Sequence, residues 1–158
     1  MKIKLLTIGK TLTPFLREGE REYVGRVNRY AAMEQVTVPD IRSARSLTRE
    51  QQKEQEGQQI LAHVRPGDTL VLLDEHGQEF SSREFAAFVE KRLASGATRG
   101  LVFAVGGPYG FSQGVYGRAD FKISLSRMTF SHEMVRMFFL EQLYRAFTIL
   151  RGEPYHHD

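Results

Sequence analysis

The sequence predicts one α/β domain spanning residues 1–158, with a mostly parallel sheet and helices on both faces. Three observations predict it. Apolar runs of strand length recur along the chain, amphipathic stretches separate them, and two of the runs, TLVLLD and GLVFAV, do not alternate. A strand apolar at nearly every residue is buried on both faces, as in a parallel sheet between helix layers. No repeat, low-complexity segment or linker divides the chain, and 158 residues suffice for a sizeable core.

The elements follow in order. KIKLLTIG is a strand ending at Gly9, and TPFLREGEREYVGRVNRY is an amphipathic helix with Pro14 in its first turn. EQVTVPD alternates as a strand should, and IRSARSLTRE is a polar, arginine-rich loop. Thr48 with Gln51 makes a capping box for the helix QQKEQEGQQILAHV. RPGD turns the chain into TLVLLD, and EHGQEF is a loop. Ser81 with Glu84 is a second capping box, opening REFAAFVEKRLA, which Gly96 ends. GLVFAV runs into the glycines of VGGPYG; a short helix, SQGVYGRA, and a strand, FKISL, follow. The last helix, SHEMVRMFFLEQLYRAFTILRG, has Ser131 as its N-cap and Gly152 beyond its end.

Composition narrows the function classes. The absence of cysteine excludes disulfides and thiolate metal sites and suits a reducing compartment. MKIKLLTIGK lacks the apolar length and cleavage site of a signal peptide, and no run approaches a membrane span. A soluble, cytoplasmic protein is expected. The net charge is +3, and 16 of the 22 basic residues are arginine. Residues 1–79 carry 12 basic and 12 acidic side chains, residues 80–158 carry 10 and 7, so the second half holds the excess. Such an excess fits a solvated surface or a modest basic face turned to a polyanion, and is too small to hold free RNA strongly.

The last helix is unusually apolar. Its polar positions Glu141, Gln142, Arg145 and Thr148 fall within a sector of about 120°. Most of the remaining circumference is Met, Val, Phe, Leu, Tyr and Ile. Covering one sheet face needs a stripe a little over 100° wide, so a second apolar surface is expected. A second copy of the chain is expected to supply it, giving a homodimer, with a central position within its own chain as the alternative.

VFAVGGPYGF is the candidate ligand loop. No Gly-Lys-Ser/Thr follows Gly106, so it is not a P-loop, and adjacent glycines after a late strand are not a dinucleotide fingerprint. The remaining rule is that open α/β sheets bind ligands at the carboxyl ends of their strands. LLDEHG, VGGPYG and LSRMTFSH converge there.

VGGPYG, LSRMTFSHEMVRMFFLEQLYRAF and the terminal RGEPYHHD, at this spacing in a chain of this length, closely resemble the RlmH family. These are the bacterial ribosomal RNA large-subunit methyltransferases H, of the SPOUT (trefoil-knot) class. The resemblance runs from KIKLLTIGK to the tail. It implies a C-terminal trefoil knot, which the general avoidance of knots argues against. It also implies a homodimer, S-adenosylmethionine as cofactor, and N3 of pseudouridine 1915 in helix 69 of 23S rRNA as acceptor within the ribosome. By motif position the cofactor-binding residues are Leu73, Gly106, Gly107, Leu125, Ser126, Arg127, Met128, Thr129 and Phe130, with Ser131 at the edge. The glycines are then read as making room for a bent S-adenosylmethionine.

The implied chemistry needs no metal, because the sulfonium carries its own activation. N3 must lose a proton and the resulting charge must be stabilised. His132, with Arg136 one turn on, is one candidate group; the tail is the other. There the resemblance places Tyr155 and His156 over the partner's pocket, with Arg145 facing the same site, while His157 stands where relatives often carry Lys or Arg. A catalytically inactive ribosome-associated module of the same fold is the alternative. Metal binding by His156, His157 and Asp158 is disfavoured, since adjacent histidines on a tail are poorly preorganised.

Overall fold

The computed structural model describes residues 1–41 and 44–157. Among the described residues the elements are, in order, β1 (Lys2–Ile8), α1 (Pro14–Val27), β2 (Met33–Val38), a 3₁₀ turn (Ala44–Ser46), α2 (Arg49–Leu61), β3 (Asp68–Glu79), α3 (Ser82–Ala94), β4 (Gly100–Val105), α4 (Gln113–Arg118), β5 (Phe121–Ser124), α5 (Met134–Leu150) and a closing 3₁₀ turn (Pro154–His156). The five strands form one sheet in the order β2-β1-β4-β3-β5, and every neighbouring pair is parallel.

Strand periodicity divides the core in two. Ile3, Leu5, Val71, Leu73 and Phe103 face one way, against Val27 of α1, Phe85 and Val89 of α3, and Phe139 and Leu143 of α5. Leu6, Ile8, Leu70, Leu72 and Val102 face the other way, against Ile60 of α2 and Val115 of α4. Helices therefore cover both faces, as the unbroken apolar runs require. Both capping boxes form: Thr48 and Ser81 each accept from the N3 amide and are answered by the Gln51 and Glu84 side chains.

Three elements differ from expectation. EHGQEF is not all loop, because β3 continues to Glu79 after a break in register between Leu73 and Gln78, both opposite Ile123. Gly77 permits the return: a Cβ there would lie 2.6 Å from the Ile123 amide nitrogen. α2 ends at Leu61, not Val64, as His63 and Val64 bond three residues back. Ser131 caps a turn ahead of α5, accepting from the Met134 amide at 3.1 Å, while the regular helix starts at Met134.

α5 is enclosed largely by its own chain. Phe139 packs edge-on against Phe85 of α3, and a Cβ on Gly19 of α1 would reach 2.6 Å from Met137 Sδ. Two of its polar residues turn inward, Arg136 at 2% exposure and Thr148 at 0%. Phe138 stays outside, at 42% exposure, and so do Leu12 and Phe15 at the start of α1, at 75% and 70%. No helix among the described residues is long and apolar enough to cross a membrane.

Candidate functional site

A cavity of about 810 Å³ opens at the carboxyl ends of β3, β4 and β5. That volume lies within the range of small-molecule sites. Its floor includes Leu73 at the end of the regular part of β3, Val105 of β4 and Ile123 of β5. One wall is the turn Gly106–Gly110 and the opposite wall is the segment Ser124–Phe130.

Each wall is shaped by local bonding. The Gly110 amide donates to the Gly107 carbonyl at 3.2 Å, closing a turn over Pro108 and Tyr109. Gly110 has φ +84°, a conformation that disfavours any side chain. On the other wall, Ser124 Oγ donates to the Ser126 carbonyl and the Met128 amide donates to Ser126 Oγ, both at 2.9 Å. This polar turn brings Ser126 and Thr129 to the cavity, and Leu125 and Phe130 supply apolar surface.

Most of the expected residues gather here. Leu73, Gly106, Gly107, Leu125, Ser126, Met128, Thr129 and Phe130 all line the cavity, and so does His132. Arg127 does not: its side chain is 89% exposed and lies 3.9 Å from Glu79. Ser131 is also outside, its hydroxyl occupied with the entry to α5. Arg136, expected beside His132, points into the core, where it donates to the carbonyls of Ile8 and Gly9 and to Thr11 Oγ1 at 2.7, 3.0 and 3.0 Å. The two adjacent glycines also serve the protein's own packing. A Cβ on Gly106 would meet Phe111 and the Gly110 carbonyl at 3.3 Å, and one on Gly107 would overlap the Glu56 carboxylate. Their missing side chains make room for the protein itself.

Arg145, Tyr155 and His156 form a second cluster, ten residues further along α5 than Val135 at the cavity edge, or about 15 Å. The tail is ordered by specific contacts. Arg145 Nη2 donates to Glu141 Oε1 at 2.6 Å, and Tyr155 Oη donates to the same oxygen at 3.1 Å. The Tyr155 ring packs edge-on against Tyr144 at 4.7 Å. Arg145 Nη1 lies 3.0 Å from His156 Nδ1. A guanidinium only donates, so Nδ1 accepts, and a neutral ring carries its proton on Nε2. Burial, then the Tyr23 hydroxyl and Glu141, pushes the Tyr155 phenol well above its ordinary range. His157 ends the turn at φ 58°, and its amide donates to the Pro154 carbonyl at 3.2 Å.

Sequence reading missed several groups at the cavity. Arg49 and Lys53 reach it from α2, on the far side of the chain. Tyr116 of α4 donates a short hydrogen bond to Asp74, which also accepts from the His76 amide at 2.8 Å. Burial first, and Asp74 second, pushes the Tyr116 phenol up to about 12. Glu133 accepts from the Leu12 and Thr13 amides at 2.8 and 3.2 Å, satisfying free donors where α1 begins. Those bonds hold its carboxyl below the ordinary range, despite burial. Nothing in the local spacing signals these pairings. Among the described residues no group of three His, Cys, Asp or Glu could hold a metal; Asp158 lies outside them.

Residues 1–156 match the family model described as "Predicted SPOUT methyltransferase". A protein of Porphyromonas gingivalis named "Ribosomal RNA large subunit methyltransferase H" is 52% identical over 158 residues, all of both chains. One of the same name from Christiangramia forsetii is 53% identical over 157 residues, 99% of each. A solved structure described as a probable methylase family protein from Haemophilus influenzae shares the fold, with a TM-score of 0.53 and 13% identity over 95% of this chain and 66% of that one. This chain, with its strand-end cavity walled by a glycine turn and a polar loop, belongs to the SPOUT methyltransferase family, among the ribosomal RNA large subunit methyltransferases H.

Proposed function

We propose that this protein transfers a methyl group from S-adenosylmethionine to N3 of a pseudouridine in helix 69 of 23S rRNA, within the assembled ribosome. One observation carries the reading: the cavity joins a glycine turn and a polar loop in a chain about half identical, end to end, to proteins named as large-subunit rRNA methyltransferases. The donor set fits the cofactor. Backbone groups around Ser126 suit an adenine edge, Leu73, Leu125 and Phe130 suit its faces, and the volume holds a folded molecule of that size. When bound, the cofactor supplies an activated methyl carbon that needs no metal.

This chain's own residues must bind, orient and remove a proton. His132 at the cavity rim is the proton acceptor in this reading. Arg145 and the Nε2–H of His156 are donors suited to the negative charge that forms on the flanking carbonyls, and Tyr155, donating to Glu141, holds the cluster in place. These donors lie about 15 Å from their own chain's cavity, so the site is completed by the tail of a second copy, and the working form is a homodimer. Exposed Leu12, Phe15 and Phe138 are apolar surface that such a dimer would cover. A C-terminal trefoil knot belongs to the same reading through the family resemblance. A cytoplasmic setting follows from a ribosomal substrate.

The test is tritiated methyl transfer from S-adenosylmethionine to ribosomes and to protein-free rRNA. Label entering ribosomal RNA is expected, with naked RNA a much poorer substrate because the basic excess is small. No transfer to either substrate refutes the reading. His132→Ala and His156→Ala are each expected to be inactive alone. Mixed one to one with subunit exchange, they should regain about one quarter of wild-type sites, since half the dimers are mixed and each holds one intact site. No recovery refutes the shared site.

A further inference from the structure

Behind the Gly106–Gly110 wall lies a buried carboxylate that the proposed chemistry does not use. Glu56 of α2 is 4% exposed, and its Oε2 accepts from Gln52 Nε2 at 3.1 Å. The carboxylate fills the space a Cβ on Gly107 would take: such an atom would overlap Oε1 and lie 2.7 Å from Oε2. The next residue meshes in the opposite sense. A Cβ on Gly57 would overlap Ser112 Oγ and lie 3.1 Å from Val115 Cγ2, so its absence lets α2 seat against the start of α4. Seven residues before Glu56 on the same helix side, the Arg49 guanidinium lies 5.0 Å from the centre of the Tyr109 ring. One helix thus touches the glycine turn at its base and at its tip.

We propose that Glu56 is a positioning residue for the cofactor: seated against Gly107, it fixes how far the Gly106–Gly110 turn stands from the Ser124–Phe130 wall. The inference rests on the cofactor assignment above. Gly107 has an ordinary backbone conformation, so the glycine is required here by Glu56 and not by φ. An alanine there pushes against a carboxylate that is 4% exposed and bonded to Gln52, and the turn, as the less buried side, gives way into the cavity. Burial also raises the Glu56 carboxyl above the usual carboxylate range, with the Gln52 amide opposing and Asp40 adding to the rise. Glutamine therefore reproduces its shape and much of its polarity.

Calorimetric titration of S-adenosylmethionine into wild type, Glu56→Gln, Glu56→Ala, Gly107→Ala and the Gly107→Ala/Glu56→Ala double variant tests this. Glu56→Gln should bind within about threefold of wild type, and Glu56→Ala and Gly107→Ala each about tenfold more weakly. The double variant should bind no more weakly than Glu56→Ala, because removing the carboxylate removes the clash. Wild-type affinity in Glu56→Ala, or losses that multiply in the double variant, overturns the proposal. A second measurement is independent of any ligand. Amide hydrogen exchange over residues 106–111 should be faster in Glu56→Ala than in wild type and Glu56→Gln, and equal rates overturn the proposal. Failure of wild type to bind S-adenosylmethionine refutes the cofactor assignment instead, and the exchange measurement then decides the role of Glu56.

Discussion

Replacing Arg136 by methionine should cost this protein about 3–5 kcal/mol of stability, the range for stripping one partner from a buried charged network. Arg136 is 2% exposed and donates three hydrogen bonds: to the Ile8 carbonyl, the Gly9 carbonyl and Thr11 Oγ1. Thr11 Oγ1 in turn donates to Glu20 Oε1 at 3.0 Å, and Gln35 Nε2 donates to the same oxygen at 2.7 Å. The guanidinium therefore ties the end of β1 to α1, β2 and α5, and its charge balances Glu20, itself 3% exposed. Burial lowers the Arg136 pKa, and Glu20 is the largest opposing influence. Methionine retains the stem's packing but leaves two carbonyls and a carboxylate without their cation. For a chain of this length the loss corresponds to a fall in Tm of about 6–20 °C, at about 2–4 °C per kcal/mol. Urea unfolding at fixed protein concentration measures it directly. Glu20→Gln added to Arg136→Met should recover part of the loss, since the orphaned charge is then gone. A loss below about 1 kcal/mol, or a further loss on adding Glu20→Gln, would show that the network does not hold the helix.

Alkaline titration gives a second prediction: a free phenol ionises near 10 and Tyr116 near 12, so its stabilising contribution is present below about pH 10 and lost as pH rises towards 12. Tyr116→Phe should flatten the fall in stability across that window and remove one phenol from the late phase of the absorbance titration; an unchanged late phase refutes the assignment. Gly77→Ala, whose Cβ would meet Ile123 backbone at 2.6 Å, should cost at least about 2 kcal/mol and weaken the β3–β5 pairing, read by amide exchange at Ile123 and Ser124. Arg145→Lys should lower methyl transfer at least about tenfold while leaving the S-adenosylmethionine dissociation constant near wild type, because a point charge does not reproduce a fork shared between Glu141 and His156. Equal losses in binding and transfer would place Arg145 in the cofactor pocket.

Much of the fold is legible in the chain because its signals are local. TLVLL and GLVFA declare burial on both faces through composition alone, and all these residues but Thr69 are buried. Thr48–Gln51 and Ser81–Glu84 mark helix starts because a capping box is a contact between residues three apart. The candidate site is legible only where it is contiguous: Leu125–Phe130 and the glycine turn stand out, as runs. Glu56, Tyr116 and Glu133 do not, since each acts on a partner 42 to 121 residues away, such as Asp74 or Leu12. Arg136 misleads for the same reason. On a helical wheel it is a polar residue near His132, and only the arrival of the β1 carbonyls from the other end of the chain turns it inward.

α5 links the cavity to the tail cluster and also keeps the two apart. Its first turn carries Val135 to the cavity, and its last turns carry Glu141 and Arg145, which hold Tyr155 and His156. Between them lie Phe139, Leu140 and Leu143, fully buried against α3 and the sheet, so the helix cannot bend to bring its ends together. The tail cannot swing back either, because Tyr30 donates to both oxygens of Glu153 at 2.9 Å and Tyr23 lies 3.3 Å from the Tyr155 hydroxyl. On the proposed reading, the open cavity near one end of this helix and the ordered donors further along it do not meet within one chain. The proposed homodimer answers this, the tail of each copy completing the other's cavity.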